Sequence, residues 1–314
     1  MTTTNGDGFA FIVGHRKSGS TWLLNLMSLH PDIRGLMETH LFHIGWVEPD
    51  PVRRTERLFT LTPWSEGGSN LKHHLTRLAT PVLKHAKPAL ILKKEERPAT
   101  LPDLGFFDQA ALRRDLSRTT SPEEYVHRFF HFHKDRLRPG RYLLEKSPRN
   151  VHHMDKIQEI FPKSRMIVIY RDGRDVVTSD KFFTRDYGGK PFDFAEGVQA
   201  WRRDMEAHLS SAEHHPVFAC AYEKLLGDGA TVARELFQFL DLPHDDSLIQ
   251  DILDRSSFRF YAGRDPGQED RKRFYRKGVA GDWKNHFSDE DKKVFKDVAG
   301  DMLIRLGYEK DLGW

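Results

Sequence analysis

The stretch GHRKSGSTW, Gly14 to Trp22, follows the apolar run FAFIV and leads into LLNLMSLH, an order that reads as strand, glycine-bearing loop and helix. Gly14, Gly19 and Thr21 stand at their places in the phosphate-binding pattern G-x-x-x-x-G-K-[ST]. Ser20 occupies the place of the lysine, and Lys17 lies three residues earlier. Backbone N–H groups from Lys17 to Thr21, at the start of a helix, would form an anion-binding concavity, to which the side chains of Lys17, Ser20 and Thr21 add hydrogen bonds. A second group of charges stands in YRDGRDVVTSDKFF. Arg171 ends an apolar strand pattern, where a charged residue calls for an anionic partner. Ser179, eight residues on, is about two helical turns away and returns to the same side. Arg174 and Asp175 between them read as an exposed ion pair. The third group, RKGVAGDWKNHF from Arg276 to Phe287, follows the basic run DRKRFY. Taken alone it reads equally as a solvated charge run or as an ordered loop whose two glycines let the backbone approach a ligand.

Four short apolar runs could carry these residues: FAFIVG (9–14), YLLEKS (142–147), RMIVIYR (165–171) and VFACAY (217–222). Helical patterns separate them. Asn150 is the expected cap of NVHHMDKIQEIF, which Pro162 stops; Asp193 is the expected cap of DFAEGVQAWRRDMEAHLSSAE. TVARELFQFLDL is a further helix, and Ser288 opens SDEDKKVFKDVAGDMLIRLGY with Asp291 in its first turn. This alternation predicts an α/β fold, a central parallel β-sheet flanked by helices with a phosphate-binding loop after the first strand, and ligands beyond the carboxyl ends of the strands. No repeat or linker divides the 314 residues, so 1–314 reads as a single domain. Within it, 44–130 reads as a mostly helical and loop insertion, a natural acceptor pocket or lid, with Gly67-Gly68 and Gly188-Gly189 as hinges or ordinary turns. A net charge of +3, from 49 basic and 46 acidic residues, argues against a chain that coats nucleic acid. The single Cys220 excludes an intrachain disulfide and suits a reducing cytoplasm. The N-terminus is polar and no apolar run approaches the ~20 residues that span a bilayer, so a cytoplasmic location without a membrane span is expected.

Together, KSGSTW, YRDGRDVVTS and RKGVAGDWKNHF resemble, in order and spacing, the motif set of the sulfotransferases that use 3′-phosphoadenosine 5′-phosphosulfate (PAPS) and release 3′-phosphoadenosine 5′-phosphate (PAP). The resemblance accounts for the displaced lysine: PAPS has no β–γ phosphate pair and no bound magnesium, so a lysine early in the loop meets the phosphate–sulfate bridge. It implies a P-loop-like fold with no required metal. It also implies that Lys17, Ser18, Gly19, Ser20 and Thr21 hold the 5′-phosphate, while Arg171 and Ser179 bind the 3′-phosphate with Arg276, Lys277 and Gly278. Trp22 would stack on the adenine, its alternative being a core helix position. Tyr222 and Phe258 would lie near the adenine with Ser256 beside them, and Trp283 would buttress the C-terminal loop. Lys17 and Lys146 would neutralise charge on the departing phosphate.

For the base that takes the acceptor's proton, the chain departs from the cytosolic aryl and steroid branch, which has a histidine two residues after the strand-tip lysine. Here the order is Lys146-Ser147-Pro148, and proline takes no proton. HPDIRGLMETHLFH is nearer the protein-tyrosine and heparan-type branch, whose glutamate position Glu38 matches; its alternative is a surface carboxylate. His40 is the next candidate and His43 a third, whereas His152 and His153 read as structural. The resemblance implies in-line sulfuryl transfer to a hydroxyl, less readily an amine, of a small-molecule or carbohydrate acceptor. The rival readings are an ATP-dependent P-loop kinase, which needs a lysine where Ser20 stands, and a nucleotide-binding protein without catalysis.

Overall fold

Phe9, Phe11 and Val13 alternate with Ala10 and Ile12, and both sets are buried, as a strand covered on two faces requires. The computed structural model describes residues 8–39, 41–42, 48–60, 109–134, 141–187, 191–270 and 275–314. There this strand, β1 (Phe9–Gly14), is the centre of a five-stranded sheet in the order β2-β3-β1-β4-β5, with every pairing parallel. β3 (Tyr142–Lys146), β4 (Arg165–Tyr170) and β5 (Val217–Ala221) occupy the expected runs. β2 (Ile33–Met37) is an addition, because Arg34 and Gly35 interrupt what would otherwise be a legible apolar run. Its register sets Ile33 opposite Tyr142 and Met37 opposite Lys146. A Cβ at residue 35 would lie 2.1 Å from the Ser28 hydroxyl, so the glycine is what lets β2 lie under the preceding helix.

The helices are α1 (Ser20–Ser28), α2 (Pro51–Thr60), α3 (Gln109–Leu116), α4 (Pro122–Lys134), α5 (Met154–Ile160), α6 (Gly173–Tyr187), α7 (Phe194–Ala212), α8 (Tyr222–Gly227), α9 (Gly229–Phe239), α10 (Asp246–Ser256), α11 (Phe258–Ala262) and α12 (Asp289–Arg305). One face of the sheet, with Ala10, Ile12, Ile167 and Ile169, packs on α1, α9 and α10. The other, with Phe9, Phe11, Met166 and Val168, packs on α4 and α5; the rings of Phe11 and Phe130 meet edge-on at 5.5 Å. A third cluster joins α6, α7 and α12 around the buried Trp201. Thus α4, which begins inside the 44–130 range, is part of the wall over the sheet. Residues 61–108 and 188–190, with both glycine pairs, lie outside the described residues.

Asp193 caps α7 by accepting from the Glu196 N–H, and Ser288 and Asp291 form a reciprocal capping box on α12. Asn150 is not a cap. It lies buried inside a 3₁₀ turn, Pro148–His153, and its Nδ2 donates to Glu145 Oε2 at 3.0 Å, so the helix begins only at Met154. A fully buried carboxylate has the stronger claim on that amide.

Candidate active site

The loop after β1 is shaped by backbone positions that glycine alone fills easily. Gly14 has φ +142° with a notional Cβ 2.2 Å from the Ile169 carbonyl, and Gly19 has φ +92° with one 2.6 Å from the Tyr222 ring. Between them Lys17 also adopts positive φ, +65°. The Ser18 N–H bonds to the His15 carbonyl and the Ser18 side chain is wholly buried, outside the cavity wall. Ser18 is therefore not brought to the cavity with its neighbours. Behind the loop, His15 and His152 both bond to Asp204, at 2.6 and 2.7 Å, which ties the loop to α7.

A cavity of about 400 Å³ opens beyond the carboxyl ends of β1 and β4. Lys17, Gly19, Ser20, Thr21 and Trp22 line it from the first loop, Arg171 and Ser179 from β4 and α6, and Arg276, Lys277 and Gly278 from the C-terminal loop. Tyr222, Ser256 and Phe258 complete the expected set. Cationic and aromatic side chains share the cavity wall. Arg171 stacks on Tyr222 at 4.3 Å and donates to the Val279 carbonyl at 2.8 Å, while its Nε is buried with no acceptor. Such an orphaned guanidinium N–H fits an anionic ligand. Trp22 meets Tyr222 edge-on at 5.7 Å and donates from Nε1 to the Ser256 carbonyl at 2.8 Å. Gly278, at φ +66°, leaves room for the Phe258 ring, which a Cβ would approach to 2.4 Å.

The charges of the C-terminal loop are held by one buried carboxylate. Asp282 accepts from Arg276 Nη2 at 2.7 Å and from Lys277 Nζ at 2.5 Å, and Arg276 also pairs with Glu269. Burial would raise the Asp282 pKa, but the hydrogen bonds from Lys277, Arg276 and Asn285 outweigh it and hold the carboxyl well below the usual range. The Lys17 pKa is also lowered, but here burial itself is the cause. Burial lowers its pKa to about 7, Asp180 opposing this and the nearby Arg16 adding to it. Its ammonium lies 3.3 Å over the Phe183 ring.

Glu38 and Lys146 do not line this cavity but adjoin it. Lys146, fully buried at the tip of β3, donates to Thr21 Oγ1 at 3.2 Å and to Glu38 Oε1. Glu38 has φ +46°, and its N–H bonds to the Lys146 carbonyl at 2.7 Å. Glu145 secures this turn: its Oε1 accepts from the Thr39 N–H at 3.1 Å, the Thr39 hydroxyl and the Ser147 hydroxyl. His40 and His43 lie outside the described residues.

Arg174 and Asp175 are not an exposed ion pair; both are buried and look in different directions. Arg174 pairs with Asp172 and Glu309, while Asp175 accepts from the Gly281 and Trp283 N–H groups at 2.7 and 2.9 Å. Both stand in the first turn of α6, buried against backbone and acidic partners. Sequence reasoning also missed Glu145, Asp282, Tyr261 and Tyr275. A carboxylate within the apolar strand YLLEK signals Glu145, and Tyr261, three residues beyond Phe258, shares its helical face. Nothing local marks Tyr275, whose hydroxyl accepts from Asn25 on α1 at 2.9 Å. Among the described residues no set of three His, Cys, Asp or Glu side chains could hold a metal ion, and no helix is long and apolar enough to cross a membrane.

Residues 10–246 match the model of the family described as "Sulfotransferase family". The chain is 26% identical over 180 residues to the 3-beta-hydroxysteroid sulfotransferase of Cavia porcellus, a stretch covering 49% of this chain and 62% of that protein, so the match spans less than two thirds of the relative's length. Its fold is similar to that of the sulfotransferase domain from the curacin biosynthetic pathway, with a TM-score of 0.58 at 19% identity over 96% of this chain and 98% of that one. It is also similar to mouse sulfotransferase SULT7A1, solved with PAP, with a TM-score of 0.52 at 14% identity over 95% and 85% of the two chains.

Proposed function

The chain belongs to the sulfotransferase family, and on that premise we propose that it moves a sulfuryl group from PAPS to a hydroxyl of a small-molecule or carbohydrate acceptor. The observation that carries the reading is the convergence of Lys17, Arg171, Arg276 and Lys277, from three distant stretches of chain, on one cavity that aromatic rings also line. A nucleotide with anionic groups at both ends of its ribose fits that lining, with the phosphosulfate toward Lys17, Ser20 and Thr21 and the 3′-phosphate toward Arg171, Ser179 and Arg276. The adenine would lie among Trp22, Tyr222 and Phe258.

PAPS supplies the activated sulfuryl group; the rest of the work falls to positioned charge. With PAPS bound, Lys17 and Lys146 would neutralise negative charge on the departing phosphate. Glu38 takes the proton of the attacking hydroxyl, and its pairing with Lys146 holds its side chain beside the loop. The aromatic, apolar lining limits water near the nucleotide. A hydroxyl acceptor agrees with the name of the hydroxysteroid relative. The test is incubation of the purified chain with labelled PAPS and a panel of phenols, alcohols and sugars, read by mass spectrometry. Sulfated product is expected with at least one acceptor. Absence of transfer to every acceptor, with PAP bound, would leave a nucleotide-binding protein without catalysis.

A further inference from the structure

Arg174 touches no wall of the nucleotide cavity, yet three chain segments close on it. Its guanidinium is buried, with Nη2 2.7 Å from Asp172 Oδ2 and Nη1 2.5 Å from Glu309 Oε1. Its Cζ lies 4.0 Å from the Trp283 ring and 4.4 Å from the Trp314 ring. The two indoles stand at 80° to one another, 5.4 Å apart, so Arg174 fills the corner between them. A planar cation that offers a fork of donors at its edge and a flat face to aromatic rings is required here, and lysine supplies only the charge.

We propose that Arg174 is a positioning residue for the nucleotide cavity, and that residues 308–314 belong to the cofactor site through it. The inference rests on the function proposed above. Asp172 lies in the turn that follows Arg171, and Arg174 stands in the first turn of α6 just beyond it. The backbone N–H of Asp172 bonds to Glu223 at 3.1 Å, and the other oxygen of Glu223 accepts from the Tyr308 hydroxyl at 2.9 Å. The turn is therefore sewn to residues 308–314 twice, through Glu223–Tyr308 and through Arg174–Glu309. On its far side Arg174 supports Trp283, in the loop that also carries Arg276 and Lys277. Asp175 fastens the same loop by accepting from Gly281 and Trp283, and it accepts from Arg171 as well. Arg174 thus sets the spacing between the two segments that bear Arg171 on one side and Arg276 with Lys277 on the other. Glu38 and Lys146 stand on other segments, and Lys17 is joined to Arg171 only by a long bond from Nη1 to its backbone carbonyl at 3.4 Å, so loosening the corner acts first on nucleotide binding.

The test compares Trp314→Leu, Trp314→Phe, Glu309→Gln and Arg174→Lys with the parent by calorimetric titration of PAP and by steady-state kinetics with PAPS varied. Trp314→Leu, Glu309→Gln and Arg174→Lys are each expected to raise the PAP Kd and the PAPS KM by about fivefold or more, with kcat and the acceptor KM unchanged; Trp314→Phe restores most of the affinity. Phe130→Leu, in the core on the opposite side of the sheet, controls for general destabilisation and is expected to leave the PAP Kd unchanged. Should Trp314→Leu yield no folded protein, Glu309→Gln decides, since it keeps both indoles and the shape of the side chain. Affinities of Trp314→Leu and Glu309→Gln within about twofold of the parent, or a loss no larger than that of Phe130→Leu, would overturn the proposal. A parent that binds no PAP overturns the function itself; a parent that binds PAP with variants that bind equally well overturns only the role of Arg174.

Discussion

At the scale of single residues the site is a matter of which charges are already compensated. Glu38 is held in a left-handed backbone conformation that costs about 1–3 kcal/mol at a non-glycine residue, and the hydrogen bonds around Thr39 and Glu145 maintain it. Such a position suits a group that must be in one place. Glu38→Gln is expected to lower kcat by about 10²–10⁴ while leaving the PAP Kd within about twofold of the parent. Rate assays beside PAP titrations check this, and undiminished turnover would transfer the role of base to His40. Lys17 makes a separate prediction. Its pKa of about 7 without ligand rises when an anion binds beside it, so affinity is greatest below pH 7 and falls as pH climbs toward the higher pKa of the complex. PAP titrations from pH 6.5 to 9 should show the Kd rising by up to about tenfold per pH unit above pH 7, with proton uptake visible in buffers of different ionisation heat. Lys17→Met should flatten both signals.

At the scale of elements, the site is built at strand tips, the loops that follow them and the loop between α11 and α12. The loop after β1 and the loop between α11 and α12 both depend on glycine, and Gly278, at φ +66° with a notional Cβ 2.4 Å from the Phe258 ring, offers the test. Gly278→Ala is expected to cost about 1–3 kcal/mol of stability, from overpacking and backbone strain together, and to weaken PAP binding as Phe258 is pushed aside. Chemical denaturation and calorimetry check the two effects separately. The caps Asp193 and Ser288 are legible in sequence because a cap is a local arrangement, one side chain meeting a backbone N–H three residues on. Asn150 has the same local appearance, but Glu145, brought near by the fold, takes its amide. β2 escapes the sequence pattern for a related reason, since its Gly35 answers to the helix above it.

At the scale of the whole molecule, the cavity walls come from residues 17, 19–22, 171–179, 222–229, 253–266 and 275–279, so on the proposed function a bound nucleotide would hold much of the chain together. Ligand that binds only the folded state stabilises it by about 2.7 kcal/mol at one hundred times Kd. PAP at that excess is therefore expected to raise the melting temperature measurably, whereas ATP with magnesium is not. The reverse order would favour an ATP-dependent phosphotransferase, although Ser20 at the lysine position of the phosphate loop argues against one.

The amino-acid order by itself determined the strand runs of β1, β3, β4 and β5, the phosphate-binding loop with its early lysine, and three charged motifs whose likeness led to the sulfotransferase family. These are properties of short stretches, set by periodicity, glycine placement and spacing. The tertiary structure alone decided which charges face the cavity and which face each other. Arg171 keeps a donor without an acceptor, Arg276 and Lys277 lean on Asp282, Arg174 turns inward between two indoles, and Ser18 is buried behind its loop. A side chain's partner is fixed by burial and by which residues the fold brings together, six positions away for Arg276 and Asp282 or more than a hundred for Arg174 and Glu309, and no local pattern carries that information.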